Sequence, residues 1–412
     1  MNVPHVVIIG AGFGGLRAAQ KLAEQPVRVT LIDRRNYHLF QPLLYQVATA
    51  GISPNEIAYP VRAIFHRHEN VEFLLAEVHS VDFDTKTVQT DQGPVRYDAL
   101  IVAAGAAVNF FGNTSLAENA FTLKDLEDAI TLRNHVLRQF EQAAHTDDPA
   151  PCRALLTFVI VGGGPTGVES AGAFAELIRL VLRRDYPSLN LDDVQVILLE
   201  ALETILPGFP ANLQQTALKS LADKHVDVRL NAKVAGYDGQ VVTLQSGETI
   251  PANTLLWSAG VRVAALADRL GVAQARQGRI VVTPELNLPG RPDVYAIGDA
   301  AYLETDGMAL PMMVPVAVQQ AEVAAANIAA KLQNRPTKAF VYRDPGSLAT
   351  IGRNSAVARL GKWTFRGFLA WLMWLFVHLI NLIGFRNRLI VLINWAWDYF
   401  FYDRAVRLIS RE

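Results

Sequence analysis

The chain contains two glycine-rich turns of the same spacing, and they limit the possible folds more than any other feature. Gly10-Ala-Gly-Phe-Gly-Gly15 follows an apolar run at residues 6–9, and Gly162-Gly-Gly-Pro-Thr-Gly167 follows another at residues 157–161. Both fit G-x-G-x-x-G: the first glycine permits a tight turn, the second admits a pyrophosphate, and the third lets helix and strand pack closely. Helix-forming stretches follow each turn. The sequence therefore predicts an α/β protein with two Rossmann-like dinucleotide-binding domains.

An acidic residue follows the second strand of each of these units. Asp33 comes after the first and Glu200 after the second, where a carboxylate can hold the adenosine ribose hydroxyls. A carboxylate at Glu200 also repels a 2′-phosphate, which favours NADH over NADPH. Two nucleotide sites in one chain imply electron transfer, with FAD in the first and NADH in the second. Asp299, after a late strand, could bind the ribityl chain of the flavin.

The remaining pattern places further elements around the two turns. Strand-like stretches occupy residues 71–75, 78–83 and 99–103, helices are expected at 125–144 and 314–332, and residues 145–151 form a plausible linker. We expect a discontinuous FAD-binding domain of residues 1–120 and 285–343 and an NADH-binding domain of residues 121–284. Residues 344–412 are expected to form a C-terminal membrane-associating segment.

Charge and cysteine content exclude several classes of protein. The formal net charge of -1 lacks the basic excess typical of nucleic-acid-binding proteins. Cys152 is the single cysteine, which excludes an internal disulfide, a four-cysteine iron–sulfur cluster and a thiolate zinc site. No metal site is expected, since His66 and His68 lack partner ligands. The chain suits a reducing compartment, and without a basic signal region at its start we expect it on the cytoplasmic side.

The C-terminal segment has the composition of a membrane-contacting helix. Residues 367–385 contain no Asp, Glu, Lys or Arg, and as a helix they would extend about 28 Å at about 1.5 Å per residue, close to the ~30 Å of a bilayer core. A stripe of tryptophan and polar side chains follows one face and is expected at the headgroup level: Trp371, Trp374, His378, Asn381 and Arg388.

A second apolar stretch, residues 389–402, contains Asn394 and Asp398, and a carboxylate at bilayer depth is costly. We expect two helices lying in the membrane interface; a transmembrane hairpin and a dimer-burying surface stay open. Proton pumping is not supported, because there is no bundle of spanning helices. Truncation after about residue 362 is expected to leave FAD bound and to abolish membrane association.

Several stretches of the chain closely resemble the type II NADH:quinone oxidoreductases, single-subunit respiratory flavoproteins of the two-dinucleotide-binding-domain superfamily. The two specific stretches are His38-Leu-Phe-Gln-Pro-Leu-Leu-Tyr-Gln-Val-Ala48 and Thr166-Gly-Val-Glu169. The others are residues 7–15, 100–105, 161–169, 257–261 and 297–299. The resemblance implies electron transfer from NADH through non-covalent FAD to a membrane quinone, and a homodimer.

The resemblance also implies site residues. For FAD these are Gly10, Gly12, Gly14, Gly15, Asp33, Arg34, Val78, Ala104, Gly105, Gly298, Asp299 and Gln319. For NADH they are Gly162, Gly164, Thr166, Gly167, Glu169, Glu200, Ala259 and Gly260. Glu169 is the candidate for controlling nucleotide binding and flavin protonation; the alternative is a carboxylate at a helix N-terminus that is favoured by the macrodipole.

The quinone side departs from the family pattern. The family's Ala-Gln-x-Ala-x-Gln is matched here by residues 318–323, with Gln319 in the first glutamine position and Val323 in place of the second. Gln319 is the candidate for the quinone contact. Residues 36–50 contain no cysteine, so the flavin is expected to reduce its acceptor directly. Ubiquinone and a naphthoquinone both stay open, as does a non-enzymatic redox sensor that forms a long-lived charge-transfer complex.

Overall fold

The computed structural model describes residues 3–401 and 406–409 and confirms the α/β class. The chain divides into two compact units. The first comprises Met1–Leu39, Tyr59–Ala107 and Val261–Asp344, and the second comprises Phe40–Ala58, Val108–Gly260 and Pro345–Glu412. These limits differ from the expected domain ranges, because residues 40–58 and 345–412 belong with the second glycine-rich turn and residues 261–284 with the first.

Helices and runs of consecutive strands follow one another along the described residues. The N-terminal part contains β1 (His5–Ile9), α1 (Phe13–Leu22), β2 (Arg28–Asp33), β3 (Tyr37–Leu39), α2 (Leu44–Ala48), α3 (Pro54–Ile57), β4 (Ala58–Pro60), α4 (Val61–Phe65), β5 (Val71–Leu75), β6 (Val78–Asp82), β7 (Thr87–Thr90), β8 (Gly93–Arg96), β9 (Ala99–Val102) and β10 (Ala106–Val108). The middle part contains α5 (Thr114–Asn119), α6 (Leu126–Ala143), α7 (Pro149–Leu155), β11 (Thr157–Val161), α8 (Pro165–Glu176), a π-helical segment (Leu177–Leu182), α9 (Arg183–Asp185), β12 (Gln195–Leu199), α10 (Ala211–Asp223), β13 (Val226–Arg229), β14 (Val234–Tyr237), β15 (Val241–Leu244), β16 (Thr249–Pro251) and β17 (Thr254–Trp257). The C-terminal part contains β18 (Val261–Val263), β19 (Ile280–Val281), β20 (Asn287–Leu288), β21 (Arg291–Ala296), β22 (Ala301–Tyr302), β23 (Glu304–Thr305), β24 (Met308–Ala309), α11 (Val314–Leu332), β25 (Ser347–Gly352), β26 (Ser355–Leu360), β27 (Trp363–Arg366), α12 (Phe368–Asn381) and α13 (Phe385–Phe401).

The first unit is built on a six-stranded sheet of order β20-β21-β9-β1-β2-β5. All of its pairings are parallel except that of β20 with β21. Every residue of β1 is buried, as expected for a central parallel strand with both faces covered. Helices α1 and α11 pack together in this unit. The sheet therefore directs the carboxyl ends of β1, β2, β9 and β21 toward the same edge.

The second unit contains a four-stranded parallel sheet of order β13-β12-β11-β17. Helix α6 begins at Asp125, whose side chain accepts a hydrogen bond from Asp128 N and completes a capping box. An antiparallel sheet of β25, β26 and β27 lies in the same unit, and α12 covers it through Ala370, which packs with Ala356 and Ala358. The β25–β27 sheet was not anticipated, since residues 344–412 were expected only to contact a membrane.

The structure bears on two expectations about chain segments. Residues 145–151 are not wholly a linker, because α7 begins at Pro149: proline suits the first helical position, and the Asp148 side chain accepts from Ala150 N at 3.0 Å. The C-terminal segment is not separable from the core, because Trp374 is only 1% exposed and Trp395 Nε1 donates to Gln46 Oε1 at 2.8 Å. Truncation after residue 362 would therefore uncover buried surface in the second unit.

The tryptophan part of the expected stripe packs on the protein, whereas Asn381 and Arg388, the latter in α13, are exposed. Trp374 is buried and His378 is partly buried, while Leu372 and Phe376 are exposed. The tryptophan face thus packs on the protein, because it supplies an N–H donor and aromatic surface, and the aliphatic face points outward. Within the described residues, no helix has both the length and the apolar character needed to cross a membrane. Tyr402, the end of the second expected stretch, lies outside the described residues.

Candidate functional sites

The first glycine-rich turn joins β1 to α1 in the geometry that a pyrophosphate requires. Gly10 has φ +104°, and a Cβ there would collide with the carbonyl oxygen of Ala103. A Cβ on Gly15 would collide with the carbonyl oxygen of Gly10, whereas a Cβ on Gly12 would meet no atom within 4 Å. The first and third glycines are therefore required by packing, and the second leaves open space before the first turn of α1. This space fits a phosphate at a helix N-terminus.

Asp33, at the end of β2, also holds the first glycine-rich turn in place. Its Oδ2 accepts a hydrogen bond from Ala11 N at 2.7 Å, and its Oδ1 accepts one from Arg35 N at 2.9 Å. A carboxylate has about four acceptor positions, so capacity remains for ribose hydroxyls. Gly14 lies on the buried side of α1, against Ala317 and Ile297, and Arg34 is exposed. The structure thus assigns Asp33 a structural role that its sequence position alone did not show.

His38 supports the same turn, in a role that its position in the sequence did not suggest. Its Nδ1 donates to the carbonyl oxygen of Ala11 at 2.9 Å, and its ring meets the Phe13 ring edge-on at 4.9 Å between centroids. Burial lowers the pKa of His38, so the ring is neutral and Nδ1 carries its proton. The resemblance had marked the stretch that begins at His38, but contact with the turn follows only from the fold.

The other expected FAD residues of the first unit lie beside the carboxyl ends of its strands. Ala104 and Gly105 follow β9, and Gly298 and Asp299 follow β21. Val78 is buried at the start of β6. In an open parallel sheet this edge is where nucleotides bind. The expected residues are therefore brought to a single edge of one sheet, apart from Val78, which lies on the β6–β8 sheet.

Gln320, which the sequence analysis did not select, is the glutamine that reaches the 298–299 turn. Its Oε1 accepts from Gly298 N at 2.7 Å, while its buried Nε2 has no hydrogen-bond partner among the described residues. A buried amide donor without a partner is costly, so this atom suits a site that is completed by a bound group. The residues of this edge fit FAD. The neighbouring glutamine, Gln319, instead exchanges two hydrogen bonds with the Arg343 backbone, at 2.8 and 3.0 Å.

The second glycine-rich turn repeats the first in the second unit. Gly162 has φ +111°, a Cβ on Gly167 would collide with the carbonyl oxygen of Gly162, and a Cβ on Gly164 would meet nothing within 4 Å. Glu200 accepts from Gly163 N and, through Oε1, from Leu202 N at 2.8 Å. Thus each turn has the same arrangement: an acid at the end of the second strand holds the residue after the first glycine.

The remaining expected NADH residues surround this turn. Thr166 is exposed in the first turn of α8, and a Cβ on Gly162 would lie 3.0 Å from Ala259 N. Gly260 has φ +78°, and a Cβ there would meet the Phe111 ring at 2.5 Å. Phe111 itself is exposed and has φ +52°, an uncommon conformation for an aromatic residue. Thr166, Ala259 and Gly260 therefore all follow the carboxyl ends of the paired strands β11 and β17.

Glu169 is buried in α8, two residues after the last glycine of the second turn. Its Oε1 accepts hydrogen bonds from Thr350 N at 3.3 Å and from Trp374 Nε1 at 3.1 Å. Burial raises the pKa of Glu169 to about 8, with the two hydrogen bonds acting in the opposite direction. The carboxyl group is therefore mostly protonated at neutral pH. An ordinary carboxylate at a helix N-terminus would be exposed and ionised, so the macrodipole interpretation does not describe this residue.

An apolar cavity lies next to Glu169 in the second unit. It has a volume of about 800 Å³ including its open mouth. Residues of α2, α8, the π-helical segment, β25, α12 and α13 line it, among them Gln46, Ala173, Leu180, Thr350, Trp371 and Trp374. Thr350 and Trp374 are also the two donors to Glu169. The sequence did not reveal this cavity, because its walls come from five separate parts of the chain.

Comparisons with known proteins agree with this architecture. A model of the pyridine nucleotide-disulphide oxidoreductase family matches residues 4–321, and a model of the NDH2 C-terminal domain matches residues 345–403. The type II NADH:quinone oxidoreductase Ndh of Mycobacterium tuberculosis is 42% identical, over 99% of this chain and 90% of its own. A second protein of that organism, the type II NADH:quinone oxidoreductase NdhA, is 40% identical over 97% of this chain and 88% of its own.

Solved structures are similar in fold at lower sequence identity. The NDH2 of Plasmodium falciparum, solved in complex with NADH, superposes with a TM-score of 0.89 at 20% identity, covering 100% of both chains. The sulfide:quinone oxidoreductase of Aquifex aeolicus superposes with a TM-score of 0.74 at 20% identity, covering 97% of this chain and 96% of that one. At this level of identity the two structures establish the fold alone.

Proposed function

Because the chain belongs to the type II NADH:quinone oxidoreductases, we propose that its first glycine-rich turn holds FAD and its second holds NADH. The family establishes the reaction: the enzyme oxidises NADH, uses FAD and reduces a quinone without pumping protons. Bound FAD supplies the redox chemistry, since it can accept a hydride from NADH and pass two electrons to a quinone. What remains to be assigned is the role of each residue.

In the FAD-binding unit, the open position at Gly12 would admit the pyrophosphate at the N-terminus of α1, and Asp33 would hold ribose hydroxyls. Asp299 would contact the ribityl chain. The unpartnered Gln320 Nε2 supports binding beside Gly298. We assign Gly10, Gly14, Gly15, Arg34, Val78, Ala104 and Gly105 to the surroundings of the same cofactor.

In the NADH-binding unit, Gly164 would admit the pyrophosphate and Glu200 would bind the adenosine ribose. Because Glu200 already holds the turn through Gly163 N, its carboxylate has a fixed position from which to disfavour a 2′-phosphate. Gly162, Thr166, Gly167, Ala259 and Gly260 complete the set of contacts that we propose for NADH.

We propose that the quinone enters the apolar cavity beside Glu169 and that Glu169 donates a proton to it. The observation that carries this proposal is Trp374, which lines the cavity and donates its N–H to Glu169. Quinone reduction consumes two protons, and a carboxyl group with a pKa of about 8 holds one at neutral pH. Gln319 is also proposed on the quinone side, although its amide is engaged with the Arg343 backbone.

Stopped-flow absorbance tests these assignments on the purified enzyme. Flavin is reduced anaerobically with NADH, and the reduced enzyme is then mixed with a short-chain ubiquinone. Fast reoxidation is expected for the wild type. Leu180→Trp, which narrows the cavity, should slow reoxidation without slowing the reduction of the flavin by NADH. The matched control Leu332→Trp changes a leucine of similar exposure at the end of α11 and should leave both phases unchanged.

The outcome can contradict these proposals in two ways. If Leu180→Trp reoxidises as fast as the wild type, the quinone does not use this cavity. If NADH reduces the wild-type flavin quickly but ubiquinone does not reoxidise it, the test is repeated with a naphthoquinone. Failure of both quinones to reoxidise the flavin would favour the redox-sensor interpretation. A naphthoquinone that alone restores the oxidised flavin would identify the class of quinone.

We propose that the outer faces of α12 and α13 lie on a lipid bilayer. Most of their exposed side chains are apolar, among them Phe368, Leu369, Leu372, Phe376, Ile380, Phe385, Leu389, Leu392, Ile393 and Phe400. The exposed Arg366, Arg386 and Arg388 flank this surface and would meet lipid headgroups. An apolar surface of this extent on two neighbouring helices is typical of a membrane or partner interface.

We place this surface on the cytoplasmic face of the inner membrane, because the substrate NADH and the single cysteine suit a reducing compartment. On the family resemblance we also propose a homodimer. Light scattering in detergent checks the dimer, and a single-chain protein mass would reject it. Flotation with liposomes of mixed zwitterionic and anionic lipid checks the membrane surface.

A further inference from the structure

Trp374 joins the membrane-facing helix to the buried carboxyl group of Glu169. It lies in α12, where its neighbours Leu372 and Phe376 face outward, yet its own side chain is 1% exposed. Its indole N–H donates to Glu169 Oε1 at 3.1 Å across 205 residues of sequence. A helix that presents one face to lipid therefore holds the proposed proton donor with the other.

The geometry at Glu169 places its proton on one particular oxygen. Both hydrogen bonds, from Thr350 N and Trp374 Nε1, go to Oε1. Indole and backbone N–H groups can only donate, so neither can accept the carboxyl proton. The proton of the neutral carboxyl group therefore lies on Oε2. Holding Oε1 from two sides fixes the direction in which Oε2 points.

Trp374 is itself held firmly. Its ring stacks on His378 with 3.9 Å between centroids and an interplanar angle of 23°, and it meets the Tyr45 ring edge-on at 6.2 Å. His378 Nδ1 donates to the carbonyl oxygen of Trp374 at 2.7 Å. Burial lowers the pKa of His378 to about 4, so no positive charge develops there near neutral pH.

Within the part of the chain that the structure describes, the other titratable groups of the surrounding elements are paired elsewhere or line the cavity. Glu176, further along α8, pairs with Lys224 of α10 at 2.7 Å, and the Arg353 guanidinium lies over the Tyr399 ring of α13 at 4.0 Å. Tyr45 of α2 and Asp398 of α13 line the neighbouring cavity. Burial and two hydrogen bonds, rather than a charged neighbour, thus set the pKa of Glu169.

We propose that Trp374 is a positioning residue for quinone reduction: its N–H orients the Glu169 carboxyl group and stabilises the carboxylate that remains after the proton leaves. This rests on the proposed role of Glu169 as proton donor. A hydrogen bond to a charged acceptor is stronger than one to a neutral acceptor, so the Trp374 bond strengthens as the proton departs. The bond thereby favours release of the proton.

The test is the pH profile of quinone reduction at saturating NADH, for the full-length enzyme with bound FAD. In the wild type, activity is expected to fall as pH rises through about 8, where Glu169 loses its proton. Trp374→Phe keeps an aromatic ring but removes the donor, so the pKa of Glu169 should rise. The bond to the neutral carboxyl group is weaker but not absent, so only the difference between the two bonds shifts the pKa, and the alkaline limb should move upward by about one pH unit.

Two control variants separate this effect from a change in packing. Trp363→Phe makes the same chemical change at an exposed site on β27 and should leave the profile unchanged. Trp371→Phe alters the cavity wall and is expected to raise the KM for quinone without moving the alkaline limb. A downward or absent displacement in Trp374→Phe would overturn the proposal.

Glu169→Gln distinguishes this proposal from the assignment on which it rests. If Glu169→Gln removes the alkaline limb and Trp374→Phe does not move it, Glu169 remains the donor and Trp374 is not its positioning residue. If Glu169→Gln leaves the limb in place, both assignments fail. Infrared difference spectra taken well below and well above pH 8 give a second readout, because the carboxylic C=O band of Glu169 should move to higher frequency in Trp374→Phe.

Discussion

Replacing Glu169 by glutamine should stabilise the enzyme increasingly as pH rises. The carboxyl group has an ordinary pKa of 4.5, and burial raises it to about 8 in the folded protein. Below pH 4.5 the group is protonated in both the folded and the unfolded chain and imposes no penalty. Between pH 4.5 and about pH 8 the unfolded chain releases the proton and the folded chain keeps it, so the free energy of unfolding falls as the pH rises.

The size of this effect follows from the two pKa values. Each unit of difference corresponds to about 1.36 kcal/mol, so the penalty reaches about 3 kcal/mol at pH 7 and stops growing above pH 8. Glutamine carries no titrating proton, and its Oε1 can accept the same two hydrogen bonds from Thr350 and Trp374. Any cost of burying its amide group is the same at every pH. The pH dependence therefore isolates the carboxyl group.

Thermal unfolding, followed by tryptophan fluorescence at a series of pH values, measures the effect, because the tryptophans lie in the same unit as Glu169. The difference in Tm between Glu169→Gln and wild type should widen from pH 5 to pH 8, at about 2–4 °C per kcal/mol for a unit of this size, and then become constant. A difference in Tm that does not change with pH would refute the reasoning. It would mean that Glu169 is ionised in the folded protein, and the proposed proton donor would be lost with it.

Three further changes test other parts of the molecule. Glu200→Ser should increase the kcat/KM ratio of NADPH to NADH, measured with a soluble quinone, because the carboxylate that repels a 2′-phosphate is removed. Gln320→Leu should weaken FAD retention on gel filtration at least tenfold, because Gly298 N loses its hydrogen-bond acceptor. An unchanged flavin content would show that the turn at Gly298 keeps its conformation without this hydrogen bond. Leu372→Glu with Phe376→Glu should abolish liposome flotation but keep NADH oxidation by a soluble acceptor, whereas Leu202→Glu, equally exposed, should float like the wild type.

Much of the fold follows from local sequence signals. The strand before each glycine-rich turn, α6 and α11 were predicted to within about two residues at their ends, because parallel strands read as short apolar runs and helices begin at recognisable caps. Family membership, FAD and NADH were also predicted, and comparison with known proteins confirms them. The individual site residues stay predictions that the proposed experiments test.

The sequence could not reveal contacts made across long separations. Gln319 and Gln320 are adjacent and chemically identical, so only the helix rotation shows that Gln320 faces Gly298. Trp374 was read as an interfacial residue, because tryptophan beside aliphatic residues is typical of membrane interfaces. Its hydrogen-bond partner lies 205 residues away, and no local pattern encodes such a contact.

The two faces of helix α12, which has fourteen residues, place different requirements on their side chains. Leu372 and Phe376 need only be apolar, so many aliphatic or aromatic substitutions should be accepted there. Ala370 and Trp374 must fit a defined space, and Trp374 must also donate a hydrogen bond. Mutational tolerance along this helix should therefore alternate with the helical repeat. A map of tolerated substitutions would show the orientation of α12 without any structure determination.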